Sequence, residues 1–401
     1  MNKIGLYIHI PFCIKKCLYC DFLSFPEGEK QQALYFDALK NEILCCKEES
    51  KEYEVDTIFI GGGTPTAVAP DEIANMVKLI RDNYNVLDDA EITMECNPGT
   101  IGAGADAMKL YFDAGINRIS IGLQSANDKE LKLLGRIHNR QQFEECYRNV
   151  RAAGFLNVNV DLMGALPGQS ISDYEDNLNY VLSLDPPPEH ISAYSLIIEE
   201  GTPFYEMYGE KTESIDSVGS ISEGALPLPD EDTERDMYHR TKDILSENGY
   251  HRYEISNYAK DKFECAHNVR YWKCREYLGF GLGSASLMKG RRFSNTRVLS
   301  EYIQILKDGN DATAIVKLRR DEEILDDNAM MEEFMFMGLR LIQGVNVNDF
   351  YSRFGKEIFD VYGDVIVNLI EKELLVRNGD YLRLTDKGLD VSNYCMAEFL
   401  I

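Results

Sequence analysis

The first 200 residues switch six times between short apolar, strand-like runs and helical spacing, and this limits the possible folds more than any other feature. The strand readings are Ile4–Ile10, Val55–Ile60, Glu91–Glu95, Arg118–Gly122, Val158–Leu162 and His190–Leu196. Helical spacing fills the gaps at 29–48, 71–83, up to Ala114, 127–153 and 171–184. Repeated βα units imply a parallel sheet covered by helices, as an open barrel or a doubly wound layer. The chemistry-bearing residues follow strand ends, and parallel barrels place their sites on that face. The fold expected is therefore α/β, a partial (β/α)6 barrel over residues 1–208.

The rest of the chain reads as three pieces. Residues 209–229 are polar and aperiodic, a loop. A connecting segment, 230–311, opens with a helix ending near Asn248-Gly249 and is then rich in Tyr, Gly and Asn. Residues 312–401 read as helices followed by a hairpin at Asn378-Gly379, a winged-helix-like unit. That unit holds 10 Lys/Arg against 17 Asp/Glu, and the whole chain carries a formal charge of −25. Nucleic-acid binding depends on cations that neutralise phosphate, so a nucleic-acid partner is not expected. No apolar run approaches membrane-span length, and the N-terminus lacks a leader pattern, so a cytoplasmic setting is expected.

Three of the ten cysteines stand together after the first strand: Cys13, Cys17 and Cys20, in His9-Ile-Pro-Phe-Cys13-Ile-Lys-Lys-Cys17-Leu-Tyr-Cys20. Structural zinc sites come as two Cys-x2-Cys knuckles, and no second knuckle is present. Three thiolates in one short loop suit three corners of a 4Fe–4S cluster. The fourth iron is then open to the amino and carboxylate groups of S-adenosylmethionine, whose one-electron cleavage is chemistry that the cofactor carries.

Further candidates follow later strands. Gly61-Gly62-Gly63-Thr64-Pro65-Thr66 allows close backbone approach to a ligand. Glu95 ends the third strand and can accept hydrogen bonds from an amino group or ribose, or simply cap a helix. Gln124 follows the fourth strand. Arg136 offers a planar fork to a carboxylate. Asp161 lies in an apolar strand and needs a partner there. Each has a structural reading, but together they suit the lining of one cavity.

With these motifs the chain resembles the radical SAM family of oxygen-independent coproporphyrinogen III oxidases. The resemblance rests on Tyr7-Ile-His-Ile-Pro-Phe-Cys13, the Gly-Gly-Gly-Thr-Pro-Thr run, Gly122-Leu-Gln124-Ser, Leu134-Gly-Arg136 and Asp161-Leu-Met-Gly-Ala-Leu-Pro-Gly-Gln. It implies adenosylmethionine contacts from Tyr7, Tyr19, Gly62, Gly63, Thr64, Glu95, Gln124, Arg136 and Asp161. The oxidases carry one more cysteine two residues after the third, where this chain has Phe22. Instead, His267-Asn-Val-Arg-Tyr271-Trp272 resembles the His-Asn-x-x-Tyr-Trp motif of the family's heme-chaperone branch. That branch implies heme as ligand and hemoproteins as recipients. Imidazole suits iron, so His267 is a candidate axial ligand, with Cys265 a second; Tyr271 and Trp272 are candidates to stack on the porphyrin. A flavodoxin-type electron donor, a homodimer and peripheral membrane association during transfer complete the implied partners. The rival readings are oxidative decarboxylation of coproporphyrinogen, another radical SAM reaction on heme, and a winged-helix regulator.

Overall fold

The structure, a computed structural model, describes residues 1–209, 225–307 and 312–400. Most of the expected 209–229 loop thus lies outside the described residues.

All six expected strands form. They are β1 (Asn2–Ile10), β2 (Tyr53–Gly62), β3 (Val86–Cys96), β4 (Arg118–Gln124), β5 (Asn157–Gly164) and β6 (His190–Ser195). They pair in chain order, each parallel to the next. The cause is visible in β1. Ile4, Leu6, Ile8 and Ile10 enter the main apolar core, while Gly5, Tyr7 and His9 face the opposite side. A period of two thus sends one set to the covering helices and the other to the barrel interior.

The intervening helices are α1 (Glu29–Cys46), α2 (Pro70–Asn83), α3 (Ala105–Asp113), α4 (Asp128–Leu133), α5 (Arg140–Ala153) and α6 (Ile171–Leu182). Residues 127–153 read as one helical stretch, but the chain breaks between α4 and α5. Gly135 takes φ +74 there. Asn139 then restarts the helix: its side chain accepts from the Gln142 N–H, and Gln142 accepts from the Asn139 N–H, both at 3.0 Å. This reciprocal cap satisfies two helix-end donors, and the break carries Arg136.

The sheet does not stop at six strands. After α7 (Pro203–Tyr208) and α8 (Glu231–Glu247) come β7 (His251–Arg252), β8 (Asn257–Ala259), helix α9 (Ala266–Trp272), β9 (Tyr277–Phe280), β10 (Ala285–Met288), β11 (Arg291–Asn295) and β12 (Arg319–Ile324). The order is β12-β11-β10-β9-β1-β2-β3-β4-β5-β6-β8-β7. β9 lies parallel to β1, and β8 antiparallel to β6. Both flanks of the parallel sheet are therefore occupied, and its edges move out to β12 and β7.

A second apolar cluster runs from Met331 to Phe399. It joins helices at 327–338, 347–354 and 358–371 to a small sheet of β13 (Val345–Asn346), β14 (Leu375–Asn378) and β15 (Tyr381–Leu384). The hairpin turns at Gly379-Asp380, one residue beyond the expected Asn378-Gly379. Asn378 still pairs with Tyr381, and Gly379 supplies the positive φ of +60 that a two-residue turn requires. No helix among the described residues is long and apolar enough to cross a membrane.

Candidate functional site

The loop after β1 closes on itself. The Cys13 N–H donates to the Phe25 carbonyl (3.2 Å), and Phe25 N–H to Pro11 (3.0 Å). His9 Nε2 meets the Leu23 carbonyl at 2.8 Å. The loop is also tied to neighbouring strand ends. The Thr64 N–H donates to Phe12 (2.7 Å), and Leu18 N–H to Leu134 (3.0 Å). The cysteine loop is thus held by the glycine run after β2 and by the α4–α5 break.

Cys13, Cys17 and Cys20 line one cavity at the carboxyl ends of the strands. Tyr19, Gly62, Gly63, Thr64, Glu95 and Gln124 line it too, with Arg136 and Asp161. Tyr7 is not on the lining but stands behind it, its hydroxyl 3.0 Å from His9 Nδ1 and its ring stacked on Phe59.

The cavity's chemistry is specific. Thr64 Oγ1 lies 3.3 Å from Cys13 Sγ and accepts from the Asn97 amide at 3.0 Å. The Arg136 guanidinium reaches Cys17 Sγ at 3.6 Å, the Gly122 carbonyl at 2.9 Å and the Asn97 side chain. Burial pushes the Cys20 thiol up to about 11, so binding metal there must displace a proton. Glu95 accepts the Gly62 N–H at 3.0 Å. Burial, which outweighs that bond, and then the Asp161 charge push its carboxyl to about 7. Asp161 accepts from Asn159 at 2.6 Å and from Ser120 at 3.2 Å, and burial raises its pKa.

These residues fit a 4Fe–4S cluster and adenosylmethionine. The three thiols line one cavity, as ligands to separate irons of one cluster must. The glycines let the end of β2 close on β1 and the start of the cysteine loop. A Cβ on Gly62 would lie 2.2 Å from the His9 ring, and one on Gly63 2.6 Å from the Ile10 carbonyl. Gln124 takes φ +68 at a bulge in β4, a backbone conformation uncommon for non-glycine residues. Arg136 Nε is buried without a partner. Asn97 and Ser120 also belong to the site. Asn97 stands two residues after Glu95, which is a usable signal; Ser120 has none.

His267, Tyr271 and Trp272 are not part of this cavity. They sit on α9, which plugs the opposite end of the barrel. Glu91 of β3 accepts the N–H groups of Ala266 (3.0 Å) and His267 (3.1 Å), and Arg270 is ion-paired with Asp56. His267 is 1% exposed. Its Nδ1 lies 2.9 Å from Thr57 Oγ1, and its Nε2 2.9 Å from the Tyr271 hydroxyl. Burial lowers its pKa to about 3. Both ring nitrogens are taken within the protein, so the expected iron ligation requires release from Thr57 or Tyr271. The expected porphyrin stacking meets a similar obstacle. The Tyr271 ring packs edge-on against His267 and Tyr277, and the Arg340 guanidinium covers Trp272 at 4.4 Å. Cys265 is fully buried beside Glu91.

Residues 7–181 match the Radical SAM superfamily, and residues 325–391 match the HemN C-terminal domain. The chain is 33% identical to "Heme chaperone HemW" of Lactococcus lactis over 398 residues, 98% of this chain and 97% of that protein. It is 34% identical to the Escherichia coli protein of the same name over 403 residues, 100% and 99% of the two chains. The structure of the Escherichia coli coproporphyrinogen III oxidase HemN, described as a radical SAM enzyme, superposes with a TM-score of 0.81 at 22% identity. The match covers 100% of this chain and 90% of that one, and establishes the shared fold. Cavity, fold and full-length similarity agree: the chain belongs to the HemW family of radical SAM proteins, a family built around a 4Fe–4S cluster and S-adenosylmethionine.

Proposed function

We propose that this protein binds heme and delivers it to hemoproteins. The carrying observation is that similarity to proteins named heme chaperones runs the length of the chain. Phe22, where the oxidases have their additional cysteine, lines the cluster cavity and supports the same reading.

Cys13, Cys17 and Cys20 would hold three irons. Gly62, Gly63 and Thr64 present backbone and hydroxyl groups to the methionine end of adenosylmethionine. Glu95 and Asp161 accept hydrogen bonds from its amino and hydroxyl groups, and Arg136 and Gln124 orient its polar atoms. Tyr19 closes the cavity wall, and Tyr7 braces His9 behind Gly62. When bound, cluster and adenosylmethionine supply one-electron chemistry at the sulfonium.

The cytoplasm is the proposed setting. Lys15 and Lys16, exposed on the cluster loop, suit an acidic electron donor of the flavodoxin type. Heme-receiving proteins, a homodimer and peripheral membrane contact during transfer complete the proposed partnerships.

The test is an anaerobic incubation of the reconstituted protein with coproporphyrinogen III, adenosylmethionine and reductant, alongside a heme titration. The expected outcome is heme binding without protoporphyrinogen. Protoporphyrinogen formation would establish the oxidase instead.

A further inference from the structure

α9 has two faces. His267 and Tyr271 point into the barrel; Ala266, Val269 and Lys273, at helical spacing, point out. The outward face forms one wall of a cleft of ≈ 870 Å³, within the range of small-molecule and cofactor sites. The other walls are β7, the Leu341–Gln343 turn and the β14–β15 hairpin. The walls are tied together, since the Ile342 N–H donates to the Tyr253 carbonyl at 3.0 Å.

The lining has three chemical parts. Val269, Leu341, Ile342 and Tyr381 supply apolar and aromatic surface. Lys262, Lys273 and Arg383 supply charge. In a chain with 67 acidic and 42 basic residues, none of these three cations forms an ion pair with a described residue. The third part is His251. Its side chain is 40% exposed, against 1% for His267, with Nε2 held by Glu264 at 2.8 Å and Nδ1 3.5 Å from the exposed Asp261. A carboxylate on one nitrogen is the usual support for an imidazole that ligates metal through the other; here the other is Nδ1, whose long contact is to the solvent-exposed Asp261 side chain that a ligand can displace. Glu264 is the carboxylate on the cleft lining, and His251 engages it.

Resting on the heme reading above, we propose that this cleft is the porphyrin site. The apolar wall takes the macrocycle. Lys262, Lys273 and Arg383 pair with the two propionates, and His251, rather than His267, is the imidazole presented to the iron. The His-Asn-x-x-Tyr-Trp segment then contributes the outer face of its helix, while its histidine braces that helix from within.

The test is a heme titration of the full chain, followed by the Soret band, for wild type, His251→Ala, the pair Lys273→Glu with Arg383→Glu, and His267→Ala. Cluster absorbance and thermal melting serve as folding controls. His251→Ala is expected to shift the Soret band and the charge-reversed pair to weaken heme binding at least tenfold, both with the cluster intact. His267→Ala is expected to keep the wild-type Soret position. A wild-type band in His251→Ala, wild-type affinity in the reversed pair, or a shifted band in a folded His267→Ala overturns the assignment. If wild type itself binds no heme, the chaperone reading fails first.

Discussion

Arg136 joins the two halves of the cluster cavity. It sits in the break between two helices and touches Cys17, Asn97 and the Gly122 carbonyl at once. The three cysteines are each needed, because a cubane that loses one of only three protein thiolates is left with two. Cys17→Ala is expected to remove the 4Fe–4S absorbance almost entirely after anaerobic reconstitution; a full cluster in that variant would rule out three-cysteine ligation. At this scale the sequence was informative where the signal is local. Three cysteines within eight residues and a glycine run after a strand each identify themselves. His267 did not, because its burial depends on Thr57, which is 210 residues away in the chain.

At the scale of elements, α9 is the piece whose placement matters most. Its seven residues are too few to be stable alone, and Glu91 holds its N-terminus from a strand in the barrel. Glu91→Ala leaves two helix-end donors without their acceptor. It is expected to destabilise the protein by about 1–2 kcal/mol in urea unfolding, with Glu91→Gln losing less. A change within about 0.5 kcal/mol, the scatter of ordinary surface substitutions, would show that the helix is held by packing alone. The six parallel strands were legible because each is a short apolar, strand-like run set between stretches of helical spacing. β7 to β12 were not, since strands of two to six residues among Tyr, Gly and Asn carry little periodic signal. The docking of α9 had no local signature either.

Across the whole molecule, burial of histidine sets a direction for pH. Burial lowers the pKa values of His9 and His190, and takes His138 and His267 to about 3. In the unfolded chain these groups take protons near pH 6.5, so acid favours unfolding. Their contribution is complete above about pH 6.5 and is lost as pH falls toward 3. Glu42 and Glu95 run the other way. Burial pushes both to about 7, so their contribution is present below about pH 4.5 and is lost as pH rises through 7. Burial raises the carboxyls of Asp161 and Glu254 as well, so the two trends oppose each other between pH 4.5 and 6.5; below about pH 4.5 these carboxyls are protonated folded or unfolded, and the histidines act alone. The melting temperature of the iron-free protein is expected to fall by about 5 °C or more between pH 4.5 and 3. A flat profile would contradict the burial of these imidazoles.

The pairing of β1 with β9 also has a consequence in time. Gly5–Ile8 gain their second neighbour from Tyr277–Phe280, about 270 residues later in synthesis. At common translation speeds this is a delay of roughly 15–50 s. Throughout it, the cysteine loop hangs from a strand with one bare side, and the ribosome releases the ligands long before it releases the strand that steadies them. A message truncated before codon 277 would therefore yield a polypeptide with all three cysteines and an open apolar edge prone to aggregation.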